Sequence, residues 1–365
     1  MRLTPDQDER DLAAMCRSLL AAHCCDAGHV APSLWPALAD AGVFGLAIDE
    51  KFGGSGGTLT DLGIFCIEAG RALCPGAVHS TLHAVLAVDW IGGPDARAAW
   101  LPGLTSGATR AATALWNPRD AAALGSSARC ARDRDGRWQL CGVADFVADA
   151  DEANLVLVAA ETGSGSGIFV VDPTRPGITV EPLPMVGGHR GCAVRFDDVF
   201  LEDDAQVLST SVRPAALRRV ANAATALLSL DLVGVGEAVL QRSVDHTMMR
   251  EQFGRPIASF QAAQHLVANM RIALSAARLA ALSAVCRIGR GHVGTRETAI
   301  ARMHAAAVKQ ITLDAHQLHG GMGYVVDTDL HLFSERARVL STWGGGADVA
   351  AKWLEDEMNW EGDRG

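Results

Sequence analysis

The densest set of ligand-binding side chains lies in the run Arg250-Glu251-Gln252-Phe253-Gly254-Arg255-Pro256-Ile257, continued by Ala258-Ser259-Phe260-Gln261-Ala262-Ala263-Gln264-His265. One long apolar segment ends here and another begins. Pro256 cannot continue a helix, so the run is a helix–loop–helix corner. A plain structural corner has no need for so many planar hydrogen-bonding groups, although an Arg tied to a carboxylate would account for part of it. A second run, Gln317-Leu318-His319-Gly320-Gly321-Met322-Gly323-Tyr324, follows about two helices later. Its glycines let a backbone approach a ligand with no Cβ in the way.

Other clusters read as structural. Lys51-Phe52-Gly53-Gly54-Ser55-Gly56-Gly57 has neither the terminal Lys-Ser/Thr nor the preceding strand of a phosphate-binding loop, and is read as a turn that lets a helix dock closely. His79 and His83 stand four apart, as zinc ligands can. No third ligand accompanies them, so they are read as surface or core histidines, and no metal is expected. The cysteines at 16, 24, 25, 66, 74, 130, 141, 192 and 286 form no CxxC pair and read as reduced, mostly buried thiols, the vicinal Cys24-Cys25 included. Glu355-Asp356-Glu357 with Glu361 and Asp363 reads as a solvated acidic tail.

Three stretches must position these groups. Residues 1–108 carry helical periodicity, at Leu12–Ala22, Leu34–Ala41 and Leu59–Leu73, with Thr60-Asp61 as a helix start and Pro75-Gly76 as a stop. Residues 109–208 carry short strands, at Gln139–Val147, Leu155–Ala160, Gly167–Val171, Ile178–Pro182 and Ala193–Phe196, punctuated by Gly, Pro or Asp. That spacing predicts a compact antiparallel β unit, a sandwich or barrel, with Gly163–Gly167 as a hairpin loop. Residues 209–365 return to long helices, at Ala215–Arg250, Phe260–Arg290 and Thr295–Gly320, of the lengths found in a helical bundle.

Acidic side chains outnumber basic ones by 42 to 32, which argues against a nucleic-acid partner. No run of 18 or more uniformly apolar residues predicts a membrane span, and the polar start Met1-Arg2-Leu3-Thr4-Pro5-Asp6 is unlike a signal peptide, so a cytoplasmic location is expected.

The corner at Arg250 resembles the acyl-CoA dehydrogenase pattern R-x-x-F-G-x-x-I-x-x-F-Q, and the run at Gln317 resembles that family's Q-x-x-G-G-x-G-[FY]. Both occur in order, after a helix–strand–helix chain, and the resemblance covers nearly all 365 residues. It implies an α+β fold: an N-terminal helical domain, a middle β domain and a C-terminal four-helix bundle. It also implies FAD as cofactor and an acyl-CoA thioester as substrate, with α,β-desaturation as the reaction and electron-transfer flavoprotein as acceptor. By the same resemblance Arg250 and Gln252 reach the FAD of a neighbouring subunit, and an Arg fork suits its pyrophosphate. Phe253, Ile257 and Phe260 flank the adenosine half, and Gln317, Leu318, Gly320 and Gly321 meet the adenine end.

Departures from the family pattern are equally specific. The family's Y-E-G-T falls on Trp343-Gly344-Gly345-Gly346, so the glutamate that removes the acyl α-proton is Gly344 here. Some relatives carry the base on the first long C-terminal helix, where Asp231 is the nearest carboxylate and Glu237 the next; apolar neighbours are expected to raise the pKa of Asp231 by desolvation. The family's T-E-P stands as Trp116-Asn117-Pro118 and its W-[IV]-[ST] as Phe146-Val147-Ala148, which removes two hydroxyls from the flavin-ring side.

The adenosine-binding half is thus kept while the ring-binding half is altered. The stretch from Gly321 through Asp329-Leu330-His331-Leu332-Phe333 to Arg336-Ala337 resembles subunits of steroid-degrading acyl-CoA dehydrogenases, which assemble as α2β2 heterotetramers. The expectation is one subunit of such an enzyme, sharing its FAD site with a second acyl-CoA dehydrogenase-like chain, against the simpler homotetramer. Two alternatives stay open: a flavin monooxygenase of the same fold, which Gly344 fits, and a non-catalytic structural subunit.

Overall fold

The structure, a computed structural model, describes residues 5–24, 31–125, 128–132, 137–201 and 206–362. Cys25, the first four residues and Asp363 lie outside that set.

Five helices open the chain: α1 (Gln7–His23), α2 (Leu34–Asp40), α3 (Leu59–Arg71), α4 (Gly76–Ile91) and α5 (Pro94–Thr105). The start of α3 falls at Thr58, not at Thr60-Asp61. The Thr58 hydroxyl accepts from the Asp61 amide while the Asp61 carboxylate accepts from the Thr58 amide, a reciprocal cap that needs exactly this three-residue spacing and leaves Thr60 inside the helix. Pro75, read as a stop, is also the residue that starts α4. The glycine-rich loop is packed tightly: the amides of Ser55, Gly56 and Gly57 donate to Gly45, Ile48 and Leu46. A Cβ on Gly54 would lie 2.1 Å from the Ile48 carbonyl oxygen. With its amides spent on backbone, this loop is a close-packed turn.

The middle of the chain is strand: β1 (Ala111–Ala114), β2 (Trp116–Asn117), β3 (Asp120–Leu124), β4 (Arg129–Arg132), β5 (Trp138–Ala148), β6 (Leu155–Thr162), β7 (Gly165–Val171), β8 (Ile178–Leu183), β9 (Gly191–Leu201) and β10 (Val207–Ser209). Among the described residues one sheet runs β10-β7-β6-β4-β5-β9-β8 with β1 joined to β6, and β2 and β3 form a separate hairpin. Each of the five expected strands is present, and Thr162 pairs with Gly165 across the expected hairpin loop. The sheet is mixed, because β1 and β4 pair with β6 in parallel.

Two long helices and four shorter ones follow among the described residues: α6 (Pro214–Met249) and α7 (Gln261–Gly289), then α8 (Thr295–Ala305), α9 (Val308–His319), α10 (Leu330–Leu340) and α11 (Ala347–Gly362), with a small hairpin of β11 (Glu251–Gln252) and β12 (Arg255–Pro256) between α6 and α7. The single helix expected over Thr295–Gly320 breaks at Ala306-Ala307 into α8 and α9.

Helix α6 is the spine of the fold, its side chains reaching the helical core around α3, the junction with the β domain and the C-terminal core. It crosses α3 at backbone contact: a Cβ on Gly70 or on Gly234 would sit 1.9 Å from the carbonyl oxygen of Asp231 or of Ile67 respectively. That crossing holds Asp231 deep in the interior. By length and composition α6 and α7 are apolar enough to cross a membrane, but the most apolar window of α6 is 89% buried in the fold.

Candidate active site

A cavity of about 990 Å³ lies where α4, the β domain, α6 and α10 meet. The three departures from the family pattern converge on it. Trp116-Asn117-Pro118, Phe146-Val147-Ala148 and Trp343-Gly344 all line its walls. The pairing of β5 with β9 slips between Ala144 and Val147, and Phe146 and Asp149 take left-handed backbone angles of 54° and 55°. A bulge of this kind re-aims side chains at the end of a strand.

Gly344 has φ 75°, a conformation in which an L side chain is strained. Its amide donates to the Pro118 carbonyl at 2.6 Å and its carbonyl accepts from the Ala121 amide at 2.8 Å, tying the loop to the β2–β3 hairpin. From below, Arg302 donates through Nε to the Gly345 carbonyl at 2.8 Å and through Nη2 to the Trp343 carbonyl at 2.5 Å. Arg302 is fully buried, and burial pulls its guanidinium down to about 10.

The inner wall is polar. Helical spacing puts His79 and His83 on one face of α4, toward the cavity. Both are buried, so of the two readings of this pair the core one fits, and among the described residues no group of three or more metal-type ligands exists. Ser80 Oγ donates to Asp149 Oδ2 at 2.6 Å. Desolvation raises the Asp149 carboxyl to about 6, partly opposed by that hydrogen bond and reinforced by Glu152 and Asp151. His189 and Arg336 complete the wall.

Asp231 stands behind this wall and does not line the cavity. Arg336 grips it with both prongs, Nε to Oδ1 at 2.8 Å and Nη2 to Oδ2 at 2.6 Å, and His79 Nε2 lies 2.7 Å from Oδ2. Desolvation pushes the carboxyl up, but the Arg336 charge and the hydrogen bonds from Arg336 and His79 outweigh it and hold it well below the carboxylate range. The expected upward shift is therefore corrected to a downward one, because apolar sequence neighbours say nothing of a cation arriving from α10. A carboxylate pinned this way is a poor proton acceptor, and its two partners are the groups that face the cavity. Glu237 is likewise held, by Arg71 and by Arg278 at 2.8 Å.

The Arg250 corner forms a separate, open surface. Arg250 closes α6, and Gln252 sits exposed in the short hairpin with its Nε2 donating to the Glu251 carbonyl. Phe253 is 93% exposed at the turn, edge-on to Phe260, over which Arg255 stacks at 4.1 Å. Ile257 is half-buried beneath them. On the other run Gln317, Gly320 and Gly321 are exposed, and a Cβ on either glycine would meet open space; Leu318 turns inward to the core. His316 fixes this run, bonding the Gly323 carbonyl at 2.7 Å and Ser334 Oγ at 2.6 Å and stacking on Tyr324. None of the corner or glycine-run residues lines the cavity.

Sequence reasoning alone missed Ser80, Asp149, His189 and Arg336 as cavity residues. Asp149 directly follows the altered Phe146-Val147-Ala148 segment, and that adjacency was the available signal.

With this geometry in hand, comparisons with known proteins are specific. The family model described as Acyl-CoA dehydrogenase, N-terminal domain, matches residues 6–108, and the one described as Acyl-CoA dehydrogenase, C-terminal domain, matches residues 215–358. The chain is 30% identical over 356 residues to the Mycobacterium tuberculosis acyl-CoA dehydrogenase IpdE2, covering 92% of both. Among solved structures it is similar to a Tcur3481-Tcur3483 steroid ACAD variant, with TM-score 0.86 and 29% identity over 98% of this chain and 99% of that one. A glutaryl-CoA dehydrogenase from Mycobacterium smegmatis in complex with FADH2 shares the fold, with TM-score 0.86 and 20% identity over 97% of this chain and 95% of that one.

Proposed function

The chain belongs to the acyl-CoA dehydrogenase family, and from that premise we propose that it is one subunit of a heteromeric FAD-dependent acyl-CoA dehydrogenase that introduces an α,β double bond into an acyl-CoA thioester. The observation that carries the reading is the separation of two half-sites within one chain. The Arg250 corner is open and chemically complete, while the cavity has Gly344 where the family keeps its base. A second family chain, in an α2β2 assembly, would bring a ring-binding cavity to this corner. The likeness to an enzyme named by two different chains supports that arrangement and points to steroid-like acyl groups.

The corner fits FAD. Arg250 offers a fork of donors to the pyrophosphate, Phe253 and Phe260 offer apolar faces to the adenosine, and the open space at Gly320 and Gly321 admits the adenine end. When bound, FAD supplies the hydride acceptor, and an electron-transfer flavoprotein would reoxidise it. This chain's residues bind and orient the cofactor, and its exposed apolar side chains, Met249, Phe253, Tyr324, Val326 and Ile272 among them, are the surface a partner would cover. Asp231 acts through His79 and Arg336, not on the substrate. The reading places the enzyme in the cytoplasm.

The test is co-expression with the candidate partner and anaerobic titration of the complex with acyl-CoAs. Loss of the yellow flavin absorption is expected. Oxygen uptake with reduced flavin and no bleaching by any thioester would instead favour the monooxygenase reading, which Gly344 alone supports. A complex whose turnover depends on no residue of this chain would favour a structural subunit.

A further inference from the structure

Two histidine rings join the Arg250 corner to the glycine run. His246 lies in the last turn of α6 and His319 in the last turn of α9. Their rings are stacked, with centres 4.3 Å apart and planes 24° from parallel. His246 stands one helical turn before Arg250, and His319 directly precedes Gly320-Gly321. The stack therefore sits between the arginine that offers its fork to a pyrophosphate and the backbone that admits an adenine. His316, one turn earlier in α9, is spent within its own segment, on the Gly323 carbonyl and Ser334 Oγ. His319 Nδ1 donates to the Ala315 carbonyl at 2.8 Å, so in the neutral ring Nε2 keeps its lone pair and is the atom that can take a proton.

The charges that face the pair are all of one sign. Arg250 from α6 and His319 act on His246, while Arg242 from α6 and His316 from α9 act on His319. Among the described residues no carboxylate acts on either ring. Asp245, beside His246 in sequence, is bonded by Gln241 Nε2 at 2.9 Å. Arg242 is engaged elsewhere, by the Thr328 carbonyl at 3.3 Å and over the Phe333 ring, whereas Arg250 stands exposed at the corner. Desolvation first, and then these cations, hold both rings below the ordinary histidine value, with the Ala315 carbonyl opposing them at His319. Both rings are thus largely neutral at pH 7 while the corner is empty. Two rings in such close contact can share one proton but cannot each hold one. An anion on Arg250 reverses the field. The reach that lets Arg250 disfavour a proton on His246 lets a pyrophosphate bound to Arg250 favour one.

We propose that the His246–His319 stack couples cofactor binding at the corner to proton uptake, the pair being neutral over an empty corner and taking one proton as the FAD pyrophosphate settles on Arg250. The inference rests on the shared-FAD reading above and deepens it. By reciprocity a ligand that raises the affinity for a proton gains affinity from that proton by the same factor. The sign is fixed: FAD binds more tightly as pH falls from 8 toward 6, and loss of the shared proton at alkaline pH loosens it. His246 and His319 act beside Arg250 on the cofactor, not on the substrate.

The test is calorimetric titration with FAD of the flavin-stripped complex of this chain and its partner at pH 6.5, in two buffers of different ionisation heat. The diester pyrophosphate of FAD keeps its charge between pH 6 and 8, so a proton taken up goes to protein. Uptake of about 0.3–1 proton per FAD is expected, with affinity about 3- to 10-fold tighter at pH 6 than at pH 8. His246→Phe with His319→Phe keeps two rings in place and removes their protons. In that doubly changed chain uptake should fall below about 0.1 proton and the affinity should lose its pH dependence. His246→Gln with His319→Gln is a second, polar version of the change, and the same loss is expected of it. Uptake near zero in the wild-type complex, or uptake that survives the double changes, overturns the proposal and leaves the shared-site reading standing. A complex that binds no FAD, or binds it equally well after Arg250→Ala, sinks both.

Discussion

Replacing Asp231 by Asn keeps the shape of the side chain and removes its charge, which separates a supporting role from a proton-accepting one. In the wild type both oxygens are engaged by the Arg336 fork and one by His79, all of it out of reach of water. The variant leaves a buried guanidinium without its counter-charge. Breaking one side of a buried pair costs about 3–5 kcal/mol. A chain of 365 residues unfolds with an entropy of roughly 0.8 kcal/mol per kelvin near its midpoint, so Tm should fall by roughly 4–6 °C. The loss should depend on pH in one direction. The folded-state carboxyl is held below its unfolded value of about 3.9, so on acidification the unfolded chain takes up the proton first. The stabilisation is therefore whole at pH 7, begins to decline as pH falls below about 4 and is lost only through the much lower folded-state value, so the gap between wild type and variant should start to narrow at the acid end of the scan. Asp231→Leu combined with Arg336→Met should recover most of the neutral-pH loss, since no lone charge remains. Thermal scans by circular dichroism from pH 3.5 to 8 measure all of this. A variant that keeps its Tm within about 1 °C yet loses turnover of the complex by the 10²–10⁴-fold expected for a missing general base would refute the reasoning and return Asp231 to the catalytic role.

Three further perturbations probe the cavity. Asp149→Asn should stabilise the protein by about 1–3 kcal/mol at pH 7.5, because a carboxyl raised to about 6 against an unfolded value near 3.9 opposes folding when ionised; the gain should vanish below about pH 4, and denaturant midpoints across that window check it. Gly344→Glu should not create a competent base in this chain, since φ 75° strains any side chain there by about 1–2 kcal/mol; a lower Tm with no gain of α-proton exchange from acyl-CoA in deuterated water is the expected outcome. Arg302→Lys should loosen the Trp343–Gly345 loop, because an ammonium lacks the planar fork that bridges two carbonyls; faster hydrogen exchange at residues 343–346 with little change in α6 would show it.

Much of this was legible in the sequence where chemistry is local. The Arg250 corner and the glycine run carry their own turn residues, and the structure displays both on an open surface. The strands of the β domain follow from punctuation by Gly, Pro and Asp. The α3 cap was misplaced by two residues because only the reciprocal Thr58–Asp61 geometry picks one hydroxyl over the next. What stayed hidden was whatever depends on partners distant in the chain. Asp231 has apolar neighbours in sequence, so desolvation was visible, whereas Arg336 and His79 reach it only after α10 and α4 pack against α6. The pair His79 and His83 shows the same limit. Its spacing was plain, but nothing in it tells that one ring would be tied to a carboxylate and the other left with a buried, unpartnered nitrogen.

The most direct test of the shared site is FAD occupancy, measured by absorbance of the purified chain alone and of the chain co-purified with its partner. The account predicts little or no flavin on the lone chain and a yellow complex with fewer FAD than chains. It also predicts that Arg250→Ala, on this subunit alone, strips FAD from the complex. A lone chain that purifies as a homotetramer with one FAD per subunit and full desaturating activity would contradict it.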